Sequence, residues 1–281
     1  MRFLSACTIL LAFMIVACEK ESDMEIDFCS SLVVEGWIEN GEFPVVILTR
    51  SVPILEEGID VEDLWEYVVR WATVTVSCGD SSVVLTGKYD SRYFPPYIYT
   101  TGRMRGESGK TYSLSIDYKQ FHAEGKTHIP EPKKLDALRV DKISNNDTLY
   151  SITACFTDNT AEKNYYQFFT KTGNKNRQFL AAYLGSVNDN VLTGYTEVPI
   201  HQGHQFGKKD YMPYFISGDT VAVKFAHLDS ISYSFWSEYD KAISFNNNMM
   251  FPKSTNLPSN IRGGLGYWCG YGSVTTYIII P

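Results

Sequence analysis

Apolar and polar side chains alternate with a period of two along most of this chain. In Ala72-Thr73-Val74-Thr75-Val76-Ser77 the apolar set is Ala72, Val74 and Val76, with hydroxyls on the other side. Tyr112-Ser113-Leu114-Ser115-Ile116-Asp117-Tyr118 repeats the pattern more strongly. Strands with one dry and one wet face predict antiparallel sheet. Leu32 to Ile38, Val45 to Thr49 and Val83 to Leu85 add strands, separated by turn residues at Asn40-Gly41, Cys78-Gly79-Asp80 and Gly106 to Gly109. Over residues 31–130 this spacing fits an Ig-like β-sandwich of about seven strands.

Ile129-Pro130-Glu131-Pro132 interrupts the ladder, because proline donates no backbone hydrogen bond and stiffens the chain. A domain boundary is expected there. In residues 131–281, Ala137 to Ile143, Leu149 to Thr157, Tyr165 to Thr170, Val221 to Leu228 and Val274 to Ile280 read as strands, with a hairpin turn at Asn145-Asn146-Asp147. They predict a second antiparallel sandwich or a barrel-like domain. Ile231, Phe235, Trp236, Tyr239 and Ile243 recur at helical spacing behind Asp229-Ser230, an N-cap sequence. This single amphipathic helix is expected to cover a sheet edge or an open barrel end. The fold class is mainly β.

The first residues follow another rule. Met1-Arg2 is a short positive start, Phe3 to Val16 is mostly apolar, and Ile15-Val16-Ala17 places slim or aliphatic residues just before Cys18. The pattern is that of a bacterial lipoprotein signal: residues 1–17 are cut away and the Cys18 thiol takes diacylglycerol. An ordinary secretory signal and a transmembrane anchor are the competing readings. The apolar stretch is too short for a hydrocarbon core of about 30 Å, and Glu19-Lys20-Glu21-Ser22-Asp23 opens an acidic tether over residues 18–30. The membrane is therefore an expected partner, through the N-terminal lipid.

Loss of residues 1–17 removes Arg2 and no acid, taking the net charge from −7 to −8. With no basic stripe either, nucleic acid is not an expected partner. Apolar residues make up 44 % of the chain, enough for packed cores rather than disorder. Nineteen tyrosines and sixteen phenylalanines suit half-buried pleated surfaces, so the aromatic excess itself follows from a β-rich fold.

Candidate chemistry is sparse. With Cys7 in the signal and Cys18 acylated, Cys29, Cys78, Cys155 and Cys269 remain. They are open to three pairings, of which Cys29–Cys78 with Cys155–Cys269 asks least of the chain, or to burial as free thiols. His201-Gln202-Gly203-His204 is a close histidine pair, but Gly203 and Pro199 argue for a loop rather than a metal-holding helix face. Glu56, Glu57, Asp60, Glu62 and Asp63 read as a solvated acidic turn. No G-x-S-x-G occurs, and the glycines between Gly263 and Gly272 do not form a dinucleotide-binding fingerprint, so they read as a tight loop permitting close backbone approach. No cofactor, metal or catalytic residue is expected. The ligand-binding candidates are rings beside the two prolines of Tyr89-Asp90-Ser91-Arg92-Tyr93-Phe94-Pro95-Pro96-Tyr97-Ile98-Tyr99, namely Tyr93, Phe94, Tyr97 and Tyr99. Tyr211 and Tyr214 form a second set. Exposed rings stack on sugars or grip extended peptides; closing the core is the competing use.

Leu32-Val33-Val34-Glu35-Gly36-Trp37-Ile38 with Val45 to Ser51, Ala72 to Val76, Gly109 to Leu114, Ile129-Pro130, Asn164-Tyr165-Tyr166, Gly218 to Val221 and Ser259 to Gly266 follow one another in order. Together they resemble an uncharacterised lipoprotein family of Bacteroidetes, domain of unknown function 4249. The resemblance implies a two-domain, β-rich protein lipid-anchored to the outer membrane, on its periplasmic or its cell-surface face. It also implies an accessory role beside a TonB-dependent outer-membrane receptor, and it supplies no catalytic residues. A non-enzymatic binding or docking lipoprotein with a glycan, peptide or small-molecule ligand is the expected function. A hydrolase with its site at the domain junction and a structural part of a surface assembly are the alternatives.

Overall fold

The computed structural model describes residues 30–52, 63–143, 148–173, 175–188, 194–203, 211–246 and 257–281. Cys18, the tether up to Cys29, the acids from Glu56 to Glu62, the turn at 145–147 and His204 lie outside the described residues. The described residues form seventeen strands, one α-helix and a short 3-10 turn at Asp63–Tyr67. In chain order the strands are β1 (Leu32–Glu39), β2 (Val45–Arg50), β3 (Thr73–Cys78), β4 (Ser81–Val84), β5 (Thr86–Tyr89), β6 (Tyr97–Thr100), β7 (Thr111–Tyr118), β8 (Phe121–His128), β9 (Ala137–Lys142), β10 (Leu149–Thr157), β11 (Tyr165–Thr172), β12 (Leu180–Asn188), β13 (Tyr195–Ile200), β14 (Phe215–Ile216), β15 (Thr220–Leu228), β16 (Ile261–Arg262) and β17 (Leu265–Ile279). The helix is α1 (Ser230–Asn246).

One eight-stranded sheet, in the order β12-β11-β15-β17-β1-β2-β6-β5, organises the molecule. Its pairings are antiparallel except for β1 with β17, which run parallel with Gly36 opposite Trp268. A five-stranded sheet, β16-β8-β7-β3-β4, packs against the half that contains β1. A four-stranded sheet of β9, β10, β13 and β14 packs against the half that contains β15. Side chains alternate across a strand, so Trp268 and Ile278 lie on the same side of β17 and enter the two cores in turn. The first core gathers Leu32, Val34, Ile38, Val74, Leu114, Ile116 and Trp268. The second gathers Ile152, Phe156, Phe168, Val223 and Phe225, with rings 4.8 Å apart between Phe225 and both Phe156 and Phe168.

The chain passes from the first sandwich to the second at residues 129–136, but it also comes back. Residues 257–271, assigned by the sequence to the second domain, build into the first: β16 pairs with β8, and Ile261 and Trp268 sit in its core. A cut at residue 130 therefore divides the eight-stranded sheet, the five-stranded sheet and the first core, and leaves only the four-stranded sheet and the second core whole. Of the glycines expected to form a tight loop, Gly263 and Gly264 do make the turn between β16 and β17, Gly263 at positive φ, whereas Gly266, Gly270 and Gly272 lie within β17. A Cβ at Gly270 or Gly272 would overlap the carbonyl oxygens of His128 and Pro130, so only glycine lets this strand run beneath the crossover.

The helix starts as its sequence indicates, with Asp229 Oδ1 accepting from the Ser232 N–H at 2.7 Å. It lies on the outer face of the eight-stranded sheet, over β11, β12 and β17. Phe235 and Trp236 point down, whereas Ile231 is 57 % exposed. Asp240, whose carboxyl is pushed up by burial, accepts from Ser186 N at 2.9 Å and Ser186 Oγ at 2.6 Å. That contact satisfies part of the edge strand β12.

Cys78, Cys155 and Cys269 are free thiols, so the Cys155–Cys269 bridge is not formed. Cys155 is on the four-stranded sheet, while Cys269 faces α1 on the far side of the eight-stranded sheet, and that sheet stands between them. Burial pushes the Cys269 thiol up to about 12, as expected of a cysteine used as a small hydrophobe. No described helix is long and apolar enough to cross a membrane.

Candidate functional site

On β1 the residues that alternate with the buried Leu32, Val34 and Ile38 are Val33, Glu35, Trp37 and Glu39. They face away from both sandwich cores. Beside them stand the outward residues of β17, among them Tyr267, Tyr271 and Ser273. Together they floor a groove of about 1040 Å³ that runs across the eight-stranded sheet. Phe235, Trp236 and Tyr239 of α1 form one wall. The other carries Arg92 and Tyr93, from the turn between β5 and β6, and Arg177 and Phe179, from the connection between β11 and β12. Arg177 Nη1 donates to the Ser91 carbonyl at 3.2 Å and so ties the two halves of that wall together. Tyr93 packs on Trp37 with centroids 5.9 Å apart.

Two of the carboxylates that line the groove, Glu35 and Glu39, have different fates. Glu39, 6 % exposed, takes Lys224 Nζ at 2.7 Å on Oε1 and Ser273 Oγ at 2.9 Å on Oε2. Lys224, 9 % exposed, is also 4.2 Å from the Phe179 ring centroid. This is a closed ion pair with its hydrogen bonds satisfied, a requirement for charge held out of water. Among the described residues Glu35 has no such cationic partner. Its Oε1 accepts from Tyr267 Oη at 3.0 Å, and the side chain is packed round by protein while part of its surface opens to the groove. Burial raises its carboxyl above the usual 4.5, against a smaller lowering by the Tyr267 hydrogen bond. Tyr239 is pushed up to about 12, first by burial and then by the Glu35 charge. At the other end Arg92 grips Asp90 through Nε at 3.0 Å and Nη2 at 2.6 Å, which holds the Asp90 carboxyl below its usual range.

Two carboxylates on one strand invite comparison with glycoside hydrolases. Four residues of extended chain separate Glu35 from Glu39 by about 13 Å, beyond the 5–9.5 Å that such pairs require. Glu39 is moreover committed to Lys224. The arrangement suits holding a ligand on aromatic faces with a few fixed polar contacts.

The rings singled out in the sequence do not converge. Tyr93 lines the groove. Phe94 is 41 % exposed and outside it. Tyr97 donates to the Arg70 carbonyl at 3.0 Å and packs edge-on against Tyr99. Tyr99 is a core residue, 2 % exposed; its hydroxyl donates to Val69 O at 2.9 Å and accepts from Ala72 N at 3.0 Å. Tyr211 donates to Gln202 O at 2.7 Å beneath Tyr183, and burial raises its hydroxyl's pKa. Tyr214 is half-buried and its carbonyl accepts from the Gln202 amide. His201 is half-buried beside Tyr183, and loss of solvation lowers its pKa. Among the described residues no three His, Cys, Asp or Glu side chains gather as a metal site.

Glu35, Trp37, Glu39, Lys224 and Tyr267 were not among the sequence candidates. Their signal was present: Glu35 and Glu39 are charges inside a strand, and Lys224 is the one charge in Val221-Ala222-Val223-Lys224-Phe225-Ala226. A charge in a central strand requires a partner or a use.

A mainly β scaffold of two sandwiches on one shared sheet, with an aromatic groove on that sheet's free face, defines the class of molecule. The chain belongs to the family described as Domain of unknown function (DUF4249), whose family model matches residues 19–277. No curated protein matches it.

Proposed function

We propose that the protein is a lipid-anchored binding protein of the bacterial outer membrane. It holds a glycan or peptide ligand in the groove over β1 and β17, as an accessory to a TonB-dependent uptake system. The observation that carries the binding role is the groove itself: about 1040 Å³, floored and walled by Trp37, Tyr93, Tyr267 and Phe235. Aromatic faces supply contact area at little entropic cost, and the fixed carboxylates and guanidinium groups orient what they hold. The leader pattern ending at Cys18 supports the lipid anchor. An anchor confines the protein to a surface and raises its effective concentration beside a membrane partner.

Glycan and peptide arrays probed with the mature protein and with Trp37→Ala test the binding role. Ligands retained by the wild type and lost by Trp37→Ala are expected. Identical retention by both proteins, or none by the wild type, overturns it. Mild crosslinking on host membranes is expected to recover an outer-membrane receptor, and mass spectrometry an acylated Cys18.

A further inference from the structure

Glu35 is a carboxylate at the bottom of an aromatic groove, and among the described residues it forms no ion pair. Its one described hydrogen bond comes from Tyr267, to Oε1. The contrast with Glu39 is sharp, because the two share a strand and a face, and Glu39 has both oxygens occupied by Lys224 and Ser273. The groove's own cations are not placed to serve Glu35. Lys224 is committed to Glu39, Arg92 to Asp90, and Arg177 donates to the Ser91 carbonyl. Lys171 stands on β11, three strands from β1, at least about 14 Å away at ordinary strand spacing. A carboxylate largely withdrawn from water, with one hydrogen bond and no cation beside it among the described residues, is costly, and such a group in a cleft marks a candidate site.

The surroundings indicate what would satisfy it. Tyr267 touches Glu35, Phe235 packs on Tyr267 at 4.3 Å, and Tyr239 feels the Glu35 charge. Trp37 follows on the same face, about 7 Å along the strand. A carboxylate with ring faces around it is the chemistry that recognises an ammonium group, by charge on one side and cation–π attraction on the others. We infer that the groove selects ligands bearing an ammonium group, which sits against Glu35 among Tyr267, Tyr239 and Trp37. This deepens the binding role proposed above and rests on it. The ammonium, in this reading, gives Glu35 the partner that Lys224 gives Glu39.

Calorimetry with paired probes separates this inference from the binding role itself. One pair is a glucosamine tetramer and its N-acetylated equivalent; the other is a lysine-containing tetrapeptide and its acetyl-lysine form. The full mature chain is expected to bind at least one charged probe about tenfold or more tightly than its acetylated twin. The pair that shows the difference identifies the source of the amine. In Glu35→Gln, which keeps an acceptor for Tyr267, the preference is expected to fall to about one while the acetylated probe still binds. Equal binding of charged and acetylated probes by the wild type, with both weakened by Trp37→Ala, overturns the ammonium inference and leaves the groove standing. A preference that survives Glu35→Gln overturns it as well, as does failure of both charged probes to bind at millimolar concentration. Binding that Trp37→Ala does not change removes the groove reading along with it.

Discussion

The inner face of the eight-stranded sheet and its outer face are made by the same strands to different specifications. Inward, β1 presents Leu32, Val34 and Ile38, and β17 presents Trp268, all sealed under the five-stranded sheet. Outward, the same strands present Glu35, Trp37 and Glu39 beside Tyr267 and Tyr271, and the cover is one helix and a groove. A face closed by another sheet is selected for shape and dryness. A face left partly open can hold charge, provided each charge is paired or put to use. The two tryptophans on these paired strands, Trp268 and Trp37, mark the division.

The largest test of that division is to remove each tryptophan in turn. Trp268→Ala leaves a cavity in a sealed core and strands the Tyr112 carbonyl that its indole N–H reaches at 3.1 Å. A loss of about 3–5 kcal/mol in urea unfolding is expected. Trp37→Ala is expected to lose much less stability in the same measurement. Equal losses would mean that the outer face is a second core rather than a site.

The ion pair gives the next effect. Lys224→Met leaves Glu39 buried and unpaired, and a loss of about 3 kcal/mol is expected. Lys224→Met with Glu39→Leu should recover most of it, because two apolar side chains remove the stranded charge. A double variant as unstable as the single one would show that the pair itself, rather than its neutrality, holds the sheet.

Glu35 should give the smallest effect, and of opposite sign. Its folded carboxyl titrates above 4.5, so its ionisation opposes folding. The stability it permits is complete below about 4.5 and is lost as pH rises through the folded value. Glu35→Gln is therefore expected to raise Tm near neutral pH and to leave it unchanged at acid pH, measured by thermal unfolding across that range. Asp240, also raised, is common to both proteins and cancels. A variant less stable than wild type at neutral pH would contradict an uncompensated charge.

Where alternation was apolar against polar, the strands were legible: β1, β3, β7, β10 and β15 were all expected close to their observed bounds. β8 carries no such alternation because its inward residues are Ala123, Gly125 and Thr127. They are small because Trp268 occupies the space, and a Cβ at Gly125 would meet Ile261 at 2.8 Å and Trp268 at 3.0 Å. The first half of β17 is illegible for a related reason, since Gly270 and Gly272 are dictated by a crossover no local pattern reveals. The groove was illegible at a different level. Glu35 and Tyr267 are 232 positions apart, and their meeting depends on a parallel register between two strands. Rings beside prolines look like exposed loop aromatics in the sequence, yet Tyr99 is a core residue.

The parallel pairing of β1 with β17 also orders events in time. Strand β1, the first of the described strands, lies beside one made 232 residues later, and only then can Trp268 close the first core. Contacts of such span slow folding, and they deny this chain the usual course in which the leading module matures while the rest is still being made. Its amino-terminal half must therefore stay unfinished, with sheet edges unpaired, until the carboxyl-terminal end arrives.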